Sequence, residues 1–132
     1  VCVTCTPSKQ PYFKKEFVRP GTFLAAVGAD APDKQELEPA LLVGAKLVTD
    51  VTDQCATLGE LHHALDAKLL TRAAVHAELG EVVAGRKPGR ASADEITIFD
   101  STGMALQDAA ASLVVYERAL RQNIGLRVNF SA

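Results

Sequence analysis

Apolar residues in this chain fall into short runs and helical stripes that alternate from end to end. The run Thr22-Phe23-Leu24-Ala25-Ala26-Val27 has strand length and almost no polar interruption. That is the pattern of a strand buried on both faces of a parallel sheet. Residues 1–6 predict a shorter strand stopped by Pro7-Ser8, with Val1, Val3 and Cys5 on one side and Cys2, Thr4 and Thr6 on the other. Leu37, Leu41 and Leu42 keep helical spacing and predict a helix over 36–45. Residues 46–51 read as a strand. A helix or helix pair over 54–70 follows, with Thr52 or Asp53 to cap it. Residues 74–84 predict a short helix closed by Gly85. Residues 95–100 alternate as a strand, with Ile96, Ile98 and Asp100 on one face. A last helix over 104–122 has Leu106, Ala109, Ala110, Leu113, Val114 and Leu120 on its apolar side, and Asn123-Ile124-Gly125 ends it. Strands alternating with helices in this order argue for an α/β fold with a mostly parallel sheet.

In an open parallel sheet, ligands sit in the crevice beyond the carboxyl ends of the strands. Gly28 ends the strand over 22–27, and Asp30 and Lys34 follow it, which puts opposite charges at the mouth of that crevice. Ser101 and Thr102 follow another strand and open the last helix, where they suit capping or contact with a carbonyl or anionic group. Cys2 and Cys5 make a C-x-x-C. Residues three apart in a strand point to opposite faces, so the sulfurs do not converge on a metal. His62 and His63 diverge by about 100° on a helix, and with His76 they read as surface or boundary residues. The turn-rich basic segment 85–90 reads as a solvated loop.

Composition narrows the class. At 132 residues the chain is the size of one domain, and a formal net charge of −2 points to neither nucleic acid nor an anionic membrane as partner. No apolar run is long enough to span a bilayer. Three cysteines without a framework spacing suggest a reducing, cytoplasmic setting.

Several stretches together carry a more specific signal. They are VTCTPSKQP at 3–11, AVGADAPDKQELEPALL at 26–42, GEL at 59–61, ELGEVVAGRKPGR at 78–90 and DEITIFDSTGMALQDAAASLVVYERA at 94–119. In this order and spacing they resemble the ornithine cyclodeaminase/mu-crystallin family of nicotinamide-dependent enzymes. The resemblance implies that 1–123 is the second half of a Rossmann-type NAD(P)-binding domain. Residues 124–132 would then return to a substrate and dimerisation domain. The chain opens at Val1-Cys2-Val3 without Met, and by the resemblance the match begins partway through the nucleotide-binding domain. The earlier part, with its Gly-rich phosphate loop and most of the substrate domain, would precede Val1, and this stretch alone would be inactive.

The family's chemistry is hydride transfer at a carbon bearing nitrogen, with a group that moves protons on that nitrogen or on a water. The resemblance assigns Asp30 as general acid/base and substrate contact. It assigns Thr6 (or Thr4), Ala26, Val27, Gly28, Lys34 and Ser101 to NAD or NADP, and Thr102 to the substrate, a small amino acid or cyclic imino acid. No metal is implied, and the full-length protein would be a homodimer. Known cyclodeaminases have Asp-Ser-Val-Gly and Gly-Gly-Asp where this chain has Asp-Ser-Thr-Gly at 100–103 and Gly-Ala-Asp at 28–30. The differences favour an imine reductase or amino-acid dehydrogenase over a cyclodeaminase. A non-catalytic nucleotide-binding protein, as some crystallin relatives are, is the third reading.

Overall fold

The structure, a computed structural model, describes residues 1–129. Five strands form one sheet: β1 (Cys2–Thr4), β2 (Phe23–Ala26), β3 (Lys46–Thr49), β4 (Val75–Glu78) and β5 (Thr97–Asp100). Their spatial order is β1-β2-β5-β3-β4 and every neighbouring pair is parallel, so all five end at one edge. The α/β class with a parallel sheet is therefore the one expected. The last strand in sequence nevertheless sits in the middle of the sheet, between β2 and β3.

Register explains where the core lies. Cys2, Leu24, Ile98, Leu47 and Val75 are successive cross-strand partners on one face. Leu24, Ile98 and Leu47 are fully buried, and they pack with Leu37, Leu41, Leu42, Leu61 and Ala64 from the layer above. Each buried Leu or Ile side chain contributes about 1.5–3 kcal/mol over an exposed one. Two residues further along β1, β2, β5 and β3 the same face carries Thr4, Ala26, Asp100 and Thr49, and a register shift against β4 brings Glu78 opposite Thr49. An apolar row thus gives way to a largely polar row at the carboxyl edge. The opposite face is less covered. Phe23 is exposed, and a cavity of about 340 Å³ lies there among Phe23, Val48, Leu79, Val82 and Phe99. The double burial expected of 22–27 is realised on one side.

Among the described residues four α-helices connect or extend the strands: α1 (Thr52–Cys55), α2 (Glu60–Asp66), α3 (Leu79–Val83) and α4 (Ala105–Gln122). Two expectations are corrected. No α-helix spans 36–45. Glu38 is extended ahead of Pro39, as a residue before proline prefers, and only a 3-10 turn, Pro39–Leu41, forms. Leu37, Leu41 and Leu42 still reach the core, so helical spacing was satisfied by a tighter turn. Within 74–84, Val75–Glu78 is a strand and only Leu79–Val83 is helical. This edge strand buries only Ala77 and runs into α3 with no turn residue between, so its residues read on with the helix. The basic segment at 85–90 is exposed yet tied down. Arg90 bonds to the Glu95 carbonyl and to Thr97 Oγ1 (2.8 Å), while the Gly89 and Pro88 carbonyls accept from Lys46 Nζ (2.7 Å) and bond His76 Nε2 (2.8 Å).

Cys2 packs against the core whereas Cys5 is exposed, so the two thiols face different environments. Helix α4 has no buried residue, and Leu106, Leu113, Val114, Val115, Tyr116 and Leu120 are exposed along it. It ends at Asn123 in the left-handed region. Residues 130–132, the end of the segment expected to return to a second domain, lie outside the described residues.

Candidate functional site

At the carboxyl edge, four carboxyl groups are buried in a chain of contacts that begins at the centre of the sheet. Asp100, at the end of β5, accepts the N–H groups of Glu60 (3.1 Å) and Leu61 (2.9 Å) and so caps α2 with a side chain from another strand. Glu60 in turn accepts the N–H groups of Glu36 (2.7 Å) and Leu37 (3.2 Å). The Glu36 carboxylate accepts from Thr6 N (2.6 Å), Thr6 Oγ1 (2.8 Å), Tyr12 OH (3.1 Å) and Gly28 N (3.0 Å). On the other side of Asp100, Asp50 accepts from Ser101 Oγ (3.0 Å), Thr102 N (2.9 Å), Gly103 N (2.8 Å) and Val51 N (2.7 Å). The Cys55 thiol donates to Asp50 at 3.1 Å.

These groups divide in charge. Burial pushes Glu36 and Asp50 up, but the hydrogen bonds they accept outweigh it and hold both below the usual carboxylate range. Burial wins at Glu60, which is pushed up to about 8 against the N–H bonds of Glu36 and Leu37. It also wins at Asp100, pushed up to about 7 against those of Leu61 and Glu60. Burial, with Asp100 and Asp50 nearby, pushes the Cys55 thiol up as well.

Above this layer lies the segment with the expected proton carrier. Asp30 is exposed and Lys34 half-buried, and Lys34 Nζ meets Asp30 Oδ1 at 2.5 Å. That hydrogen bond holds the Asp30 carboxyl below its ordinary value and the Lys34 ammonium above its own. The segment is fastened at several points. Asp30 N–H donates to the Gly28 carbonyl (3.1 Å), Gln35 N–H to the Ser8 carbonyl (2.9 Å), and His63 Nε2 bonds the Lys34 carbonyl (2.7 Å).

The expected site residues therefore fall into two groups on one edge. Thr6, Gly28, Asp30 and Lys34 are joined through Glu36 and the Gly28 carbonyl. Ser101 and Thr102 are joined through Asp50. Ladder bonds from Ser101 N to the Ala26 carbonyl (2.9 Å) and from Val27 N to the Thr4 carbonyl (2.9 Å) connect the ends of β5, β2 and β1. Ser101 and Thr102 are not the cap of α4, contrary to the capping expectation. The cap position is Met104, because Asp50 gathers the donors of 101–103 and Gly103 turns the chain at φ +85°. The hydroxyls of Thr6 and Ser101 donate inward to carboxylates. Thr4 Oγ1 is buried without a hydrogen-bond partner. His62 and His63 are half-buried, and among the described residues no group of three His, Cys, Asp or Glu is placed to hold a metal.

Sequence reasoning missed Glu36, Asp50 and Asp100 and assigned no role to Glu60, all four of which the structure buries. A faint signal existed: Asp50 and Asp100 each close an apolar strand run, where a solvated acid has no reason to sit. Gly28 had a second reason beyond turning. A Cβ there would fall onto the Glu36 carboxylate. Gly28→Ala is expected to destabilise by about 1–3 kcal/mol through this overpacking. Gly80→Ala, where a Cβ meets nothing within 4 Å, is the control. Denaturant midpoints of the two variants check this, and equal midpoints would contradict it.

The model of the ornithine cyclodeaminase/mu-crystallin family matches residues 1–123. This chain belongs to that family. It is 49% identical over 130 residues to an alanine dehydrogenase of Archaeoglobus fulgidus, covering 98% of this chain and 40% of the relative. Among solved structures it resembles the iminosuccinate reductase of Paracoccus denitrificans in complex with NAD+, with a TM-score of 0.87, 42% identity, and coverage of 97% of this chain and 39% of the other. It also resembles the Thermococcus litoralis Delta(1)-pyrroline-2-carboxylate reductase in complex with NADH and L-proline, with a TM-score of 0.89, 32% identity, and coverage of 96% and 39%. The chain thus spans about 40% of the length of the curated relatives of this family that it matches. Among the described residues no helix is long and apolar enough to cross a membrane.

Proposed function

We propose that the protein carrying this chain is an NAD- or NADP-dependent imine reductase or amino-acid dehydrogenase acting on a small amino acid or cyclic imino acid. Asp30 carries the reading: a carboxylate at the open carboxyl edge of a parallel sheet, fixed by its main chain and paired with Lys34. The edge fits a dinucleotide. Gly28 brings bare main chain to the end of β2, and Lys34 is a cation close by. In this reading Thr6, Ala26, Val27, Gly28, Lys34 and Ser101 hold the nicotinamide nucleotide, with Thr4 the alternative to Thr6 at the end of β1. The bound nicotinamide gives or takes the hydride.

Asp30 and Thr102 hold the substrate, and Asp30 takes or returns the proton on its nitrogen or on a water. While Lys34 is bonded to it, Asp30 stays a carboxylate. An anionic group of the cofactor beside Lys34 would compete with Asp30 for its ammonium and so weaken the hold that keeps the Asp30 carboxyl low. Alanine dehydrogenase and the two reductases among the relatives support this class. The exposed apolar residues of α4 suit cover by the rest of a full-length homodimer.

The test follows reduced-nicotinamide absorbance in the whole protein with a cyclic imino acid, and in parallel assays ornithine for ammonia and proline. The reductase reading expects reduced cofactor to be consumed with the imine and no proline from ornithine. Proline and ammonia without net cofactor change would replace it with the cyclodeaminase reading. Tight cofactor binding with neither activity on any amino or imino acid would leave the non-catalytic one.

A further inference from the structure

We infer that Glu36 is a positioning residue for Asp30, its carboxylate holding the end of β2 against the end of β1 at the height the proton transfer requires. The inference rests on the proposed role of Asp30. Glu36 is fully buried, and all four groups on its carboxylate come from elsewhere in the chain: Thr6 N–H and O–H, Tyr12 O–H and Gly28 N–H. The two oxygens divide the work. Oε1 takes the three donors from the β1 side, and Oε2 takes the Gly28 N–H alone. The Gly28 carbonyl then accepts the Asp30 N–H, so Oε2 is two hydrogen bonds from the Asp30 main chain. Gly28 has no Cβ to keep the carboxylate away. Glu36 is itself anchored, since Glu60 accepts its N–H and Asp100 holds the start of the helix that bears Glu60.

A carboxylate with two acceptor oxygens is the group this junction needs, and an amide of the same size fails it in a defined way. Glutamine has one acceptor oxygen and one NH₂. With its oxygen kept at the three donors of the β1 side, its NH₂ faces the Gly28 N–H, donor against donor. Glu36→Gln therefore loosens the Asp30 side while leaving the Thr6 and Tyr12 side bonded.

The experiment measures kcat, KM and the cofactor dissociation constant of Glu36→Gln in the whole protein, per mole of cofactor-binding sites. The expected result is kcat lower by about 10- to 100-fold, the scale of a small misplacement of a catalytic group. The cofactor dissociation constant changes much less. In an Asp30→Ala background the same substitution is expected to add little, since the residue it positions is gone. A kcat per site like that of the parent, or a full independent loss in the Asp30→Ala background, overturns the inference. If Glu36→Gln does not fold, Glu36→Asp keeps the carboxylate but shortens its reach to the Gly28 N–H, and it is read the same way. It should lower kcat more than it weakens cofactor binding, and a drop in cofactor binding alone overturns the inference. The two readings fail separately. Asp30→Ala with unchanged turnover defeats the role of Asp30. An impaired Asp30→Ala beside an unimpaired Glu36→Gln defeats only the role of Glu36.

Discussion

Asp30→Ala in the whole protein is expected to lower kcat by about 10²- to 10⁴-fold, the contribution of a positioned proton-transfer group. Stability should hardly move, because the Asp30–Lys34 pair is largely exposed and such pairs contribute about 0–1 kcal/mol. That separation makes the test clean, since loss of turnover with an unchanged melting temperature cannot be blamed on unfolding. The pH profile adds a second check. Lys34 keeps the Asp30 carboxyl below its ordinary 3.8, so in the free enzyme the acid limb of kcat/KM due to Asp30 lies below that value. Lys34→Met should move the limb upward and weaken cofactor binding at the same time. Unchanged turnover in Asp30→Ala would remove Asp30 from the mechanism.

The largest effect on stability is expected at Asp100. Asp100→Ala leaves the N–H groups of Glu60 and Leu61 without their acceptor inside the fold. Each buried donor so stranded costs about 1–3 kcal/mol, so a total of about 2–5 kcal/mol is expected. The Asp100 carboxylate sits directly on Gly59, where an added Cβ would lie 2.7 Å from its oxygens. Denaturant unfolding of the whole protein measures the loss, and a variant within about 0.5 kcal/mol of the parent would show that water replaces the cap.

Asp100 and Glu60 also set a pH dependence of unusual sign. Their folded values, about 7 and about 8, lie above the ordinary 3.8 and 4.5, so between about pH 4 and pH 8 the folded state binds more protons than the unfolded chain. Stability from these two groups is therefore greatest at the acid end of that window and falls as pH rises through it. The slope is at most about 1.4 kcal/mol per pH unit for each proton. Glu36 and Asp50 act oppositely. Their lowered values contribute stability that is present above their unfolded values and lost as pH falls through the folded ones. In Asp100→Ala the fall on the alkaline side should be shallower, which the same unfolding experiment repeated from pH 5 to pH 9 records.

Much of the architecture was legible in the residue pattern, and the reason is periodicity. The runs at 22–27, 46–51 and 95–100 became β2, β3 and β5, and the long stripe at 104–122 became α4. Each is an element whose burial pattern repeats often enough to be read locally. The candidate site was legible only as family positions after Gly28 and Asp100. What the chain alone did not carry was the strand order, with β5 in the centre, because nothing in a strand's own residues names its neighbours. It also did not carry the 3-10 turn at Pro39–Leu41, which is too short to have a period, or strand β4, which has one buried residue and runs straight into α3.

The buried carboxylates were invisible for a different reason. A Glu or Asp reads as solvated from sequence because ionised acids are costly to bury. Only the tertiary structure supplied what offsets that cost: backbone N–H groups from 6, 28, 36, 37, 60, 61, 102 and 103, brought to one edge by parallel pairing. The sequence by itself determined which residues are apolar at which spacing, and hence an α/β chain with an acid and a base beyond a strand end. The fold decided which acids are buried and linked, because a hydrogen bond between residues thirty or forty apart exists only once the strands that carry them are side by side.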